Sequence, residues 1–291
     1  MKIGILTDST CDLNQEILEK YGIEVIPLSV HFGEEEFQDG IDIKPDSFFE
    51  KLDQNKELPH TSRPAPALFV EKYKKMLQKY DQLLSIHVSA ALSGTYESAK
   101  LAAQEVNAEK IKVIDSATIS LGLGMLTVLI AKLIDKDKQI DEIIKIVNQA
   151  KKKLYLYFTV KDLTYMEKGG RIGKASSFLG SIFSINPVIS ISTKTGKVKP
   201  IAKVRGQHRA QDRIIELIKK DLKNEKNAWL GFAHGNRKDD LEKTKIKLIK
   251  ELKDEKNINL KIYDSRISAT LGCHVGPTVY AVIVLSGDFL V

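Results

Sequence analysis

The sequence is poor in the residues and patterns that mark several large classes of protein. Only two cysteines, Cys11 and Cys273, occur among 291 residues, which argues against a disulfide framework and for a reducing compartment. The longest apolar run, residues 121–131, is too short and too rich in glycine to span a bilayer. Asp8 and Asp12 interrupt the first apolar segment, and no small-residue cleavage pattern follows. We therefore expect no signal peptide and a cytoplasmic location.

Several cofactor and catalytic fingerprints are also missing. No GxGxxG dinucleotide motif occurs, and neither a CxxC pair nor a regular histidine spacing indicates zinc. The loop around Ser93 lacks the Gly-Lys-Ser/Thr of a phosphate-binding loop. It also lacks the nucleophile elbow GxSxG, because the residue two positions before Ser93 is Ala91. We expect neither a metal nor a cofactor.

The net charge of +7 is distributed rather than concentrated. Lysines are spread along predicted helices, as at Lys72, Lys74, Lys75 and Lys79. This distribution favours solvated helix faces, and an acidic protein partner, a membrane surface or nucleic acid are the alternatives. Since no helix-turn-helix or RNA-binding motif is present, we expect no nucleic-acid partner and at most transient membrane contact.

Strands and helices alternate through the first half of the chain. Apolar periodicity predicts strands at residues 2–8, 24–30, 82–88 and 112–115, and helices at residues 13–21, 45–52, 95–106 and 141–151. The segment 60–66 is predicted to be a polar loop. Such alternation is typical of a parallel, doubly wound sheet. Because strand ends meet at the ligand crevice of such sheets, we expect Thr7-Asp8, Ser89 and Asp115-Ser116 to lie close together.

The second half repeats this arrangement faintly. The segment that ends at His87 resembles the one that ends at His234. Each is followed by a predicted helix and by a strand that ends in Asp-Ser, at Asp115 and Asp264. A relation between two α/β units explains this similarity, and chance is the alternative.

The chain is therefore predicted to form two α/β domains. Residues 1–155 would contain the mainly parallel sheet, and residues 156–291 a related mixed sheet with helices. A helix in the second domain is predicted to end at Asn186-Pro187, because the residue before proline disfavours the helical conformation. That helix carries an apolar stripe, which its spacing alone identifies as a core face: Phe178, Leu179, Ile182 and Phe183.

Four short motifs contain residues that could form a functional site. The residues alone allow two interpretations of each motif, one structural and one functional. Thr61 and Ser62 precede a helix, where hydroxyl groups either cap the helix or help to bind an anion. Ser93 and Gly94 lie between a strand and a helix, as in a tight turn or a crevice site.

The other two motifs contain a cation and a histidine. Arg171 lies among the glycines of residues 169–173, which serve either turn geometry or the close approach of a ligand. His274 lies between Gly272 and Gly276 and is either a donor to a carboxylate or a satisfied core histidine.

Taken together and in this order, the motifs closely resemble those of the DegV family of bacterial fatty-acid-binding proteins. The blocks that carry the resemblance extend over nearly the whole chain: Thr7-Asp8-Ser9-Thr10-Cys11-Asp12-Leu13, His60-Thr61-Ser62-Arg63-Pro64, Leu92-Ser93-Gly94-Thr95-Tyr96, Asp115-Ser116, Lys168-Gly169-Gly170-Arg171-Ile172 and His274-Val275-Gly276-Pro277.

The resemblance implies that a long-chain fatty acid lies in a buried tunnel between the domains. It implies that Thr61, Ser93 and His274 bind the carboxylate and that Arg171 lies near the head group and acts in transfer. The residues expected beside them are Ser62, Arg63 and Gly94, and the apolar stripe is our candidate for the tunnel wall. The implied partner is the catalytic subunit of a fatty acid kinase, which forms acyl phosphate with ATP. The protein itself would then be a carrier and not an enzyme.

Three positions depart from the family pattern. Arg63 replaces a usual glutamine, Asn186 a usual lysine and Thr278 a usual glycine. Arg63 would add a cation near the head group. The alternative function is a hydrolase or phosphotransferase for a small anionic substrate, with Ser93 as nucleophile and His274 as base. The missing nucleophile elbow argues against it.

Overall fold

The computed structural model describes residues 2–55, 57–179, 185–255 and 258–290. It contains a four-stranded sheet, a six-stranded sheet and a small three-stranded sheet. The four-stranded sheet is wholly parallel in the order β2-β1-β6-β7, and its strands are β1 (Ile3–Asp8), β2 (Ile23–Ile26), β6 (Gln82–His87) and β7 (Ile111–Asp115).

The six-stranded sheet is mixed, in the order β10-β9-β8-β13-β11-β12. Its strands are β8 (Leu154–Thr159), β9 (Ile185–Ile191), β10 (Val198–Arg205), β11 (Asn227–His234), β12 (Asn259–Arg266) and β13 (Tyr280–Ser286). Only β11 and β12 pair in parallel; the other neighbours are antiparallel. The small antiparallel sheet has the order β4-β3-β5, with β3 (Ser29–Phe32), β4 (Glu35–Gln38) and β5 (His60–Ser62).

The helices connect and cover these sheets. They are α1 (Gln15–Lys20), α2 (Pro45–Gln54), α3 (Pro66–Met76), α4 (Thr95–Val106), α5 (Leu121–Ile134), α6 (Ile140–Lys151), α7 (Thr164–Lys168), α8 (Gln207–Asp221), α9 (Lys238–Glu255) and α10 (Ala269–Val275). Two 3₁₀ helices lie at Ser9–Cys11 and Gly173–Phe178. None of the described helices is both long and apolar enough to cross a membrane.

The predicted fold class is confirmed, since a parallel α/β sheet precedes a mixed sheet with helices. The predicted strand ends also converge: Val88 N donates to Asp8 at 2.9 Å, and Ala90 N donates to Asp115 at 3.1 Å. The domain boundary after residue 155 stays a prediction. The first strand of the larger sheet, β8, begins at Leu154.

Three local predictions were wrong. The strand predicted at residues 24–30 is two strands in different sheets, because Pro27 offers no N–H and the chain turns there. The predicted loop 60–66 contains β5, which pairs with β3. Pro187 lies inside β9, where it pairs with β10, while the pairing with β8 begins at Val188. A proline is tolerated there because one side of the strand is not yet paired.

The helix α5 is the centre of the largest hydrophobic core. Nearly all of its side chains are buried, and it contacts β1 and β6 of one sheet and β11 and β13 of the other. Gly124 permits this packing, since a Cβ there would lie 2.5 Å from the carbonyl oxygen of Cys11. The apolar run of residues 121–131 is thus a buried helix between two sheets.

Candidate functional site

A cavity of about 60 Å³ lies at the interface between the two halves of the molecule. Its polar residues come from both halves: Thr10, Thr61, Ser93, Arg171, Thr270 and His274. Its apolar wall includes Leu92, Phe158, Met166, Ile191, Leu271 and Val275. The predicted head-group residues Thr61, Ser93, Arg171 and His274 therefore line one cavity.

Thr61 and His274 are joined across the interface. Thr61 lies in the middle of β5, opposite Val30 of β3, and its side chain faces inward. His274 lies in the last turn of α10. The Thr61 Oγ1 and His274 Nε2 atoms are 2.9 Å apart, although the residues are 213 positions apart in the chain.

The second ring nitrogen of His274 has no hydrogen-bond partner among the residues that the structure describes. Nδ1 is buried and lies beside Gly169, where a Cβ would approach it to 2.7 Å. Burial and, secondarily, the charge of Arg171 lower the pKa of His274 to about 4. The imidazole is therefore neutral at physiological pH, with one nitrogen a donor and the other an acceptor.

Ser93 lies in the turn that precedes α4. Its backbone N–H donates to Ser89 O at 3.1 Å, which closes the turn. Its hydroxyl lies 2.9 Å from Thr95 Oγ1 and accepts only a long bond, 3.4 Å, from Thr95 N. When Thr95 Oγ1 is the donor in the first of these contacts, the Ser93 hydroxyl proton is available to a ligand in the cavity.

Two arginines hold the backbone on either side of Ser93. Arg171 Nε donates to Leu92 O at 3.2 Å, and its Nη1 donates to Gly169 O at 2.7 Å. Arg63 Nη1 donates to Gly94 O at 3.2 Å. Gly94 permits this close approach, because a Cβ there would occupy the place of the Arg63 guanidinium. Both arginines are exposed, so the rim of the cavity is positively charged.

None of the remaining predicted residues that the structure describes lines the cavity. Ser62 is on the outer face of β5, and its Oγ is 3.0 Å from His31 Nε2. Phe178 and Leu179 are half-buried and are not among the residues that line the cavity. The Phe178 ring instead lies 5.1 Å from Lys203 Nζ. The rest of the apolar stripe, Ile182 and Phe183, lies outside the described residues.

Sequence reasoning missed Thr10, whose side chain also lines the cavity. Thr10 follows the end of β1, and its hydroxyl donates to Asp8 at 2.5 Å. Its position at the end of a parallel strand, within the first family-like block, was a signal that could have identified it. The apolar wall was missed because a strand residue facing a cavity has the same sequence pattern as one facing the core.

A Ser-His-Asp arrangement lies behind this wall and was also unforeseen. His87 Nε2 is 2.7 Å from Ser85 Oγ, and His87 Nδ1 is 3.0 Å from Asp8 Oδ2. Tyr73 OH donates to Ser85 at 2.8 Å. All three members of the arrangement are fully buried, so no substrate reaches Ser85 and the network is structural.

The alternative of catalysis by Ser93 and His274 finds no support in the geometry. The described hydrogen bonds join Ser93 to Thr95 and His274 to Thr61, and none joins Ser93 to His274. A nucleophile needs its base within hydrogen-bond reach, and a base with a pKa of about 4 accepts a proton poorly at neutral pH.

A wider cleft of about 1180 Å³ lies along the same interface. It is lined by side chains of both charges, among them Lys238, Lys245 and Asp264. None of the predicted head-group residues lines it. We therefore place the candidate site in the smaller cavity, which is lined by apolar side chains together with hydroxyl groups and an imidazole.

Fold and site together define an α/β protein with a parallel sheet, a mixed sheet and a largely apolar cavity that ends in hydrogen-bonding side chains. The chain belongs to the DegV family: a DegV family model, described as that of an uncharacterised protein, matches residues 2–287. The predicted family membership is thereby confirmed.

Similar proteins cover nearly the whole chain. Protein DegV of Bacillus subtilis is 33% identical over 277 residues, which are 95% of this chain and 96% of that protein. A DegV domain-containing protein of Clostridium acetobutylicum is 33% identical over 286 residues, 98% of this chain and 99% of its own length.

Solved structures show the same architecture. One is described as fatty acid binding of a DegV family protein from Thermus thermophilus; it has a TM-score of 0.91 and 28% identity, and covers 99% of this chain and 100% of its own. The structure of DegV from Bacillus subtilis, described as a fatty-acid-binding protein, has a TM-score of 0.87 and 31% identity, with the same coverage.

Proposed function

We propose that this protein binds one long-chain fatty acid between its two domains, residues 1–155 and 156–291, and presents the carboxylate to a fatty acid kinase. The observation that carries the proposal is the cavity whose apolar wall ends at Thr61, Ser93 and His274. The family neighbours described as fatty-acid-binding proteins support it. The protein acts as a cytoplasmic carrier and needs no cofactor.

The hydrogen-bond pattern suits a carboxylate acceptor. When the neutral His274 donates from Nε2 to Thr61 Oγ1, the Thr61 hydroxyl proton is free to point at the ligand. The Ser93 hydroxyl supplies a second donor. Hydrogen bonds to a charged group contribute about 1.5–3 kcal/mol each. They largely offset the desolvation of the carboxylate, so the head group sets orientation.

The acyl tail supplies most of the affinity. Burial of roughly 15 methylenes at about 0.8 kcal/mol each gives a gross term of order ~12 kcal/mol. Association costs of about 4–15 kcal/mol reduce this term. The cavity of about 60 Å³ holds only about two water molecules, so its wall must open as the chain enters. Unbranched Met166, which lines the cavity, is the wall residue best suited to adapt.

We place the transfer of the acid to the kinase at the arginine rim. Arg171 crosses from the loop after α7 to Leu92, so it lies beside the head-group donors and is exposed. Arg63 lies on the other side of Ser93. A cationic rim suits both an acidic partner surface and the phosphoryl group that the kinase transfers. The kinase catalyses bond formation, and this protein does not.

Mass spectrometry of an organic extract from the purified, denatured protein tests the binding function. We expect about one long-chain fatty acid per protein molecule. A protein that carries no lipid and takes up neither palmitate nor oleate would refute the proposal.

Delivery is tested with a fatty acid kinase catalytic subunit, ATP and the loaded protein, with acyl phosphate trapped by hydroxylamine. We expect Arg171→Ala to retain its lipid and to lose most delivery. The matched control is Lys174→Ala, an exposed cation three positions further on. If Arg171→Ala loses its lipid instead, Arg171 is a binding residue and its role in transfer is wrong.

A further inference from the structure

The first family-like block contains an acid, Asp12, that does not line the cavity. Asp12 follows the 3₁₀ helix Ser9–Cys11, and Asp39 follows β4. Their exposed fractions are 5% and 3%, so both side chains are buried. Both belong to the N-terminal half of the chain, and both contact the beginning of α10 in the C-terminal half.

The two acids together bind three consecutive backbone donors. Ser268 N donates to Asp12 Oδ1 at 3.0 Å. Ala269 N and Thr270 N donate to Asp39 Oδ1 and Oδ2 at 3.1 and 3.2 Å. The first N–H groups of a helix have no partner within the helix. Here the missing acceptors are supplied from the other half of the molecule.

The same short helix carries His274. α10 has seven residues, so it is about 10 Å long and moves as one body. Gly272 packs so closely against Phe48 of α2 that a side chain there would not fit. Because α10 has only about two turns, we expect a shift at its first turn to reach His274 in its last turn.

Burying two acidic side chains costs more free energy than capping a helix requires. Within the described parts of the chain, no lysine, arginine or histidine forms an ion pair with either acid. Burial raises the pKa of Asp12 to about 7 and raises that of Asp39. A neutral serine or asparagine would cap the helix without a buried charge. The carboxylate of Asp39 offers what they lack: two acceptors for two adjacent N–H groups.

We propose that Asp12 and Asp39 are positioning residues of the fatty-acid site. They hold the first turn of α10, so they fix the distance between His274 and Thr61 and with it the direction of the Thr61 donor. This inference rests on the proposed function and assigns a role to two residues that do not touch the ligand.

Replacing each acid by asparagine removes a buried carboxylate in both cases but breaks a hydrogen bond to α10 only at Asp39. The two variants therefore separate the effect of the helix contact from the effect of the charge. In Asp39→Asn one acceptor becomes an amide donor that faces the N–H of Thr270, so one bond is lost. In Asp12→Asn the amide donates to the hydroxyl of Ser120, which now donates to Asp12 Oδ2 at 2.5 Å, and the bond from Ser268 N persists. Asp12→Asn is therefore the matched control.

The readout is the ratio of affinities for palmitate and hexadecanol, which share a tail and differ in head group. We expect Asp39→Asn to weaken palmitate binding about tenfold, the equivalent of one charge-assisted bond. Hexadecanol binding should change less than about twofold, and Asp12→Asn should retain the wild-type ratio. The double variant Asp39→Asn/Thr61→Val should bind palmitate no more weakly than Thr61→Val alone, because both act on one donor.

Three outcomes would overturn the inference. An unchanged ratio in Asp39→Asn would show that α10 needs no such restraint. Equal weakening of both ligands would indicate a general structural defect. An equal fall in the palmitate-to-hexadecanol affinity ratio in both asparagine variants would show that the buried charge, and not the helix contact, determines palmitate affinity. If the wild-type protein binds neither ligand, the proposed function fails and not this inference.

A measurement without lipid tests the positioning role even if the wild-type protein binds neither palmitate nor hexadecanol. The His274 ring is titrated by NMR, with His274→Gln used to assign its signal. We expect its pKa to rise from about 4 towards 6.5 in Asp39→Asn, because a displaced ring is less buried. An unchanged pKa would contradict the positioning role. If Asp39→Asn does not fold, Ala269→Pro removes the same N–H donor from the helix side at a position where proline is tolerated.

Discussion

One buried histidine, His87, lies behind the candidate site, and another, His274, lies within it. They differ in how many of their ring nitrogens have a hydrogen-bond partner. His87 is fully buried, and both ring nitrogens have partners, Ser85 and Asp8. His274 has Thr61 on one nitrogen and, among the described residues, no partner on the other. A complete network stabilises the fold, whereas the Thr61–His274 pair leaves the Thr61 hydroxyl proton for a ligand when His274 Nε2 is the donor. The comparison thus separates the framework from the site.

The largest effect is expected where the complete network is broken. Asp8 accepts four hydrogen bonds, two from Thr10, one from His87 and one from Val88. We expect Asp8→Ala to lower the free energy of unfolding by about 3–5 kcal/mol in urea denaturation, because it leaves these donors buried without an acceptor. Asp46→Ala, at an exposed ion pair, should cost less than about 1 kcal/mol. Equal losses would refute the comparison.

Closing the space beside His274 should abolish binding. In Gly169→Ala the new Cβ would lie 2.7 Å from His274 Nδ1 and 2.9 Å from Tyr165 O. We expect a loss of about 1–3 kcal/mol in stability and loss of fatty-acid uptake.

The neighbouring glycine provides the control. Gly170 has a φ of +70° and open space around it, so Gly170→Ala should cost about 1–2 kcal/mol in strain and leave uptake intact. Both variants are destabilised, and only one should lose the ligand. Retained uptake in Gly169→Ala would show that His274 tolerates displacement.

The neutral His274 should make stability depend on pH. Its pKa is about 4 in the folded protein, against about 6.5 in an unfolded chain, so the folded state binds fewer protons. The stability that it contributes is complete above pH 6.5 and is lost as the pH falls towards 4. At pH 5 the loss amounts to roughly 2 kcal/mol.

Asp12 has the opposite effect, and a matched variant removes it from the measurement. Its pKa is raised to about 7, so the folded state takes up a proton and gains stability as the pH falls below 7. We therefore compare the wild type with His274→Gln by denaturation at pH 7.5 and pH 5. The wild type should lose roughly 2 kcal/mol relative to the variant. A difference that is independent of pH would show that folding does not lower the pKa of His274.

The smallest expected effect concerns one hydroxyl group. Thr61→Val keeps the shape of the side chain and removes the donor, so palmitate affinity should fall about tenfold, and the lost acceptor for His274 Nε2 should cost about 1 kcal/mol in stability. Ser62→Ala, on the opposite face of the same strand, should change neither. Isothermal calorimetry with both variants checks this expectation. Equal affinities for the two variants would remove Thr61 from the site.

The sequence predicted secondary structure well where the apolar periodicity of a segment was clear. The unit β6-α4-β7 was predicted with nearly its observed bounds, because its helix and strands have clear periodicities. The internal similarity also has a structural counterpart, since β6-β7 and β11-β12 are both parallel pairs. It is not exact: His87 pairs with Asp115, whereas His234 pairs with Arg266.

Other features depended on contacts that local patterns do not encode. Pro187 lies in a strand because its partner on one side begins a residue later, and His60–Ser62 becomes a strand only through pairing with β3. The four head-group residues were named from the family resemblance, because they come from four distant segments. The spacing of the apolar stripe indicated a core face, and its assignment to the tunnel wall came from the fatty-acid interpretation. Its described members, Phe178 and Leu179, do not line the cavity.

The position of β13 has a consequence for how the protein is made. This strand lies between β8 and β11 in the middle of the larger sheet, yet it follows all the other strands in the chain. The ribosome therefore releases both halves of the sheet before the strand that joins them. At about 5–20 residues per second, residues 235–286 take several seconds to synthesise. During that interval two strand edges are unpaired and the Thr61–His274 contact does not exist. A ligand that needs the Thr61–His274 contact can therefore bind only once the segment that carries His274 has been made and folded.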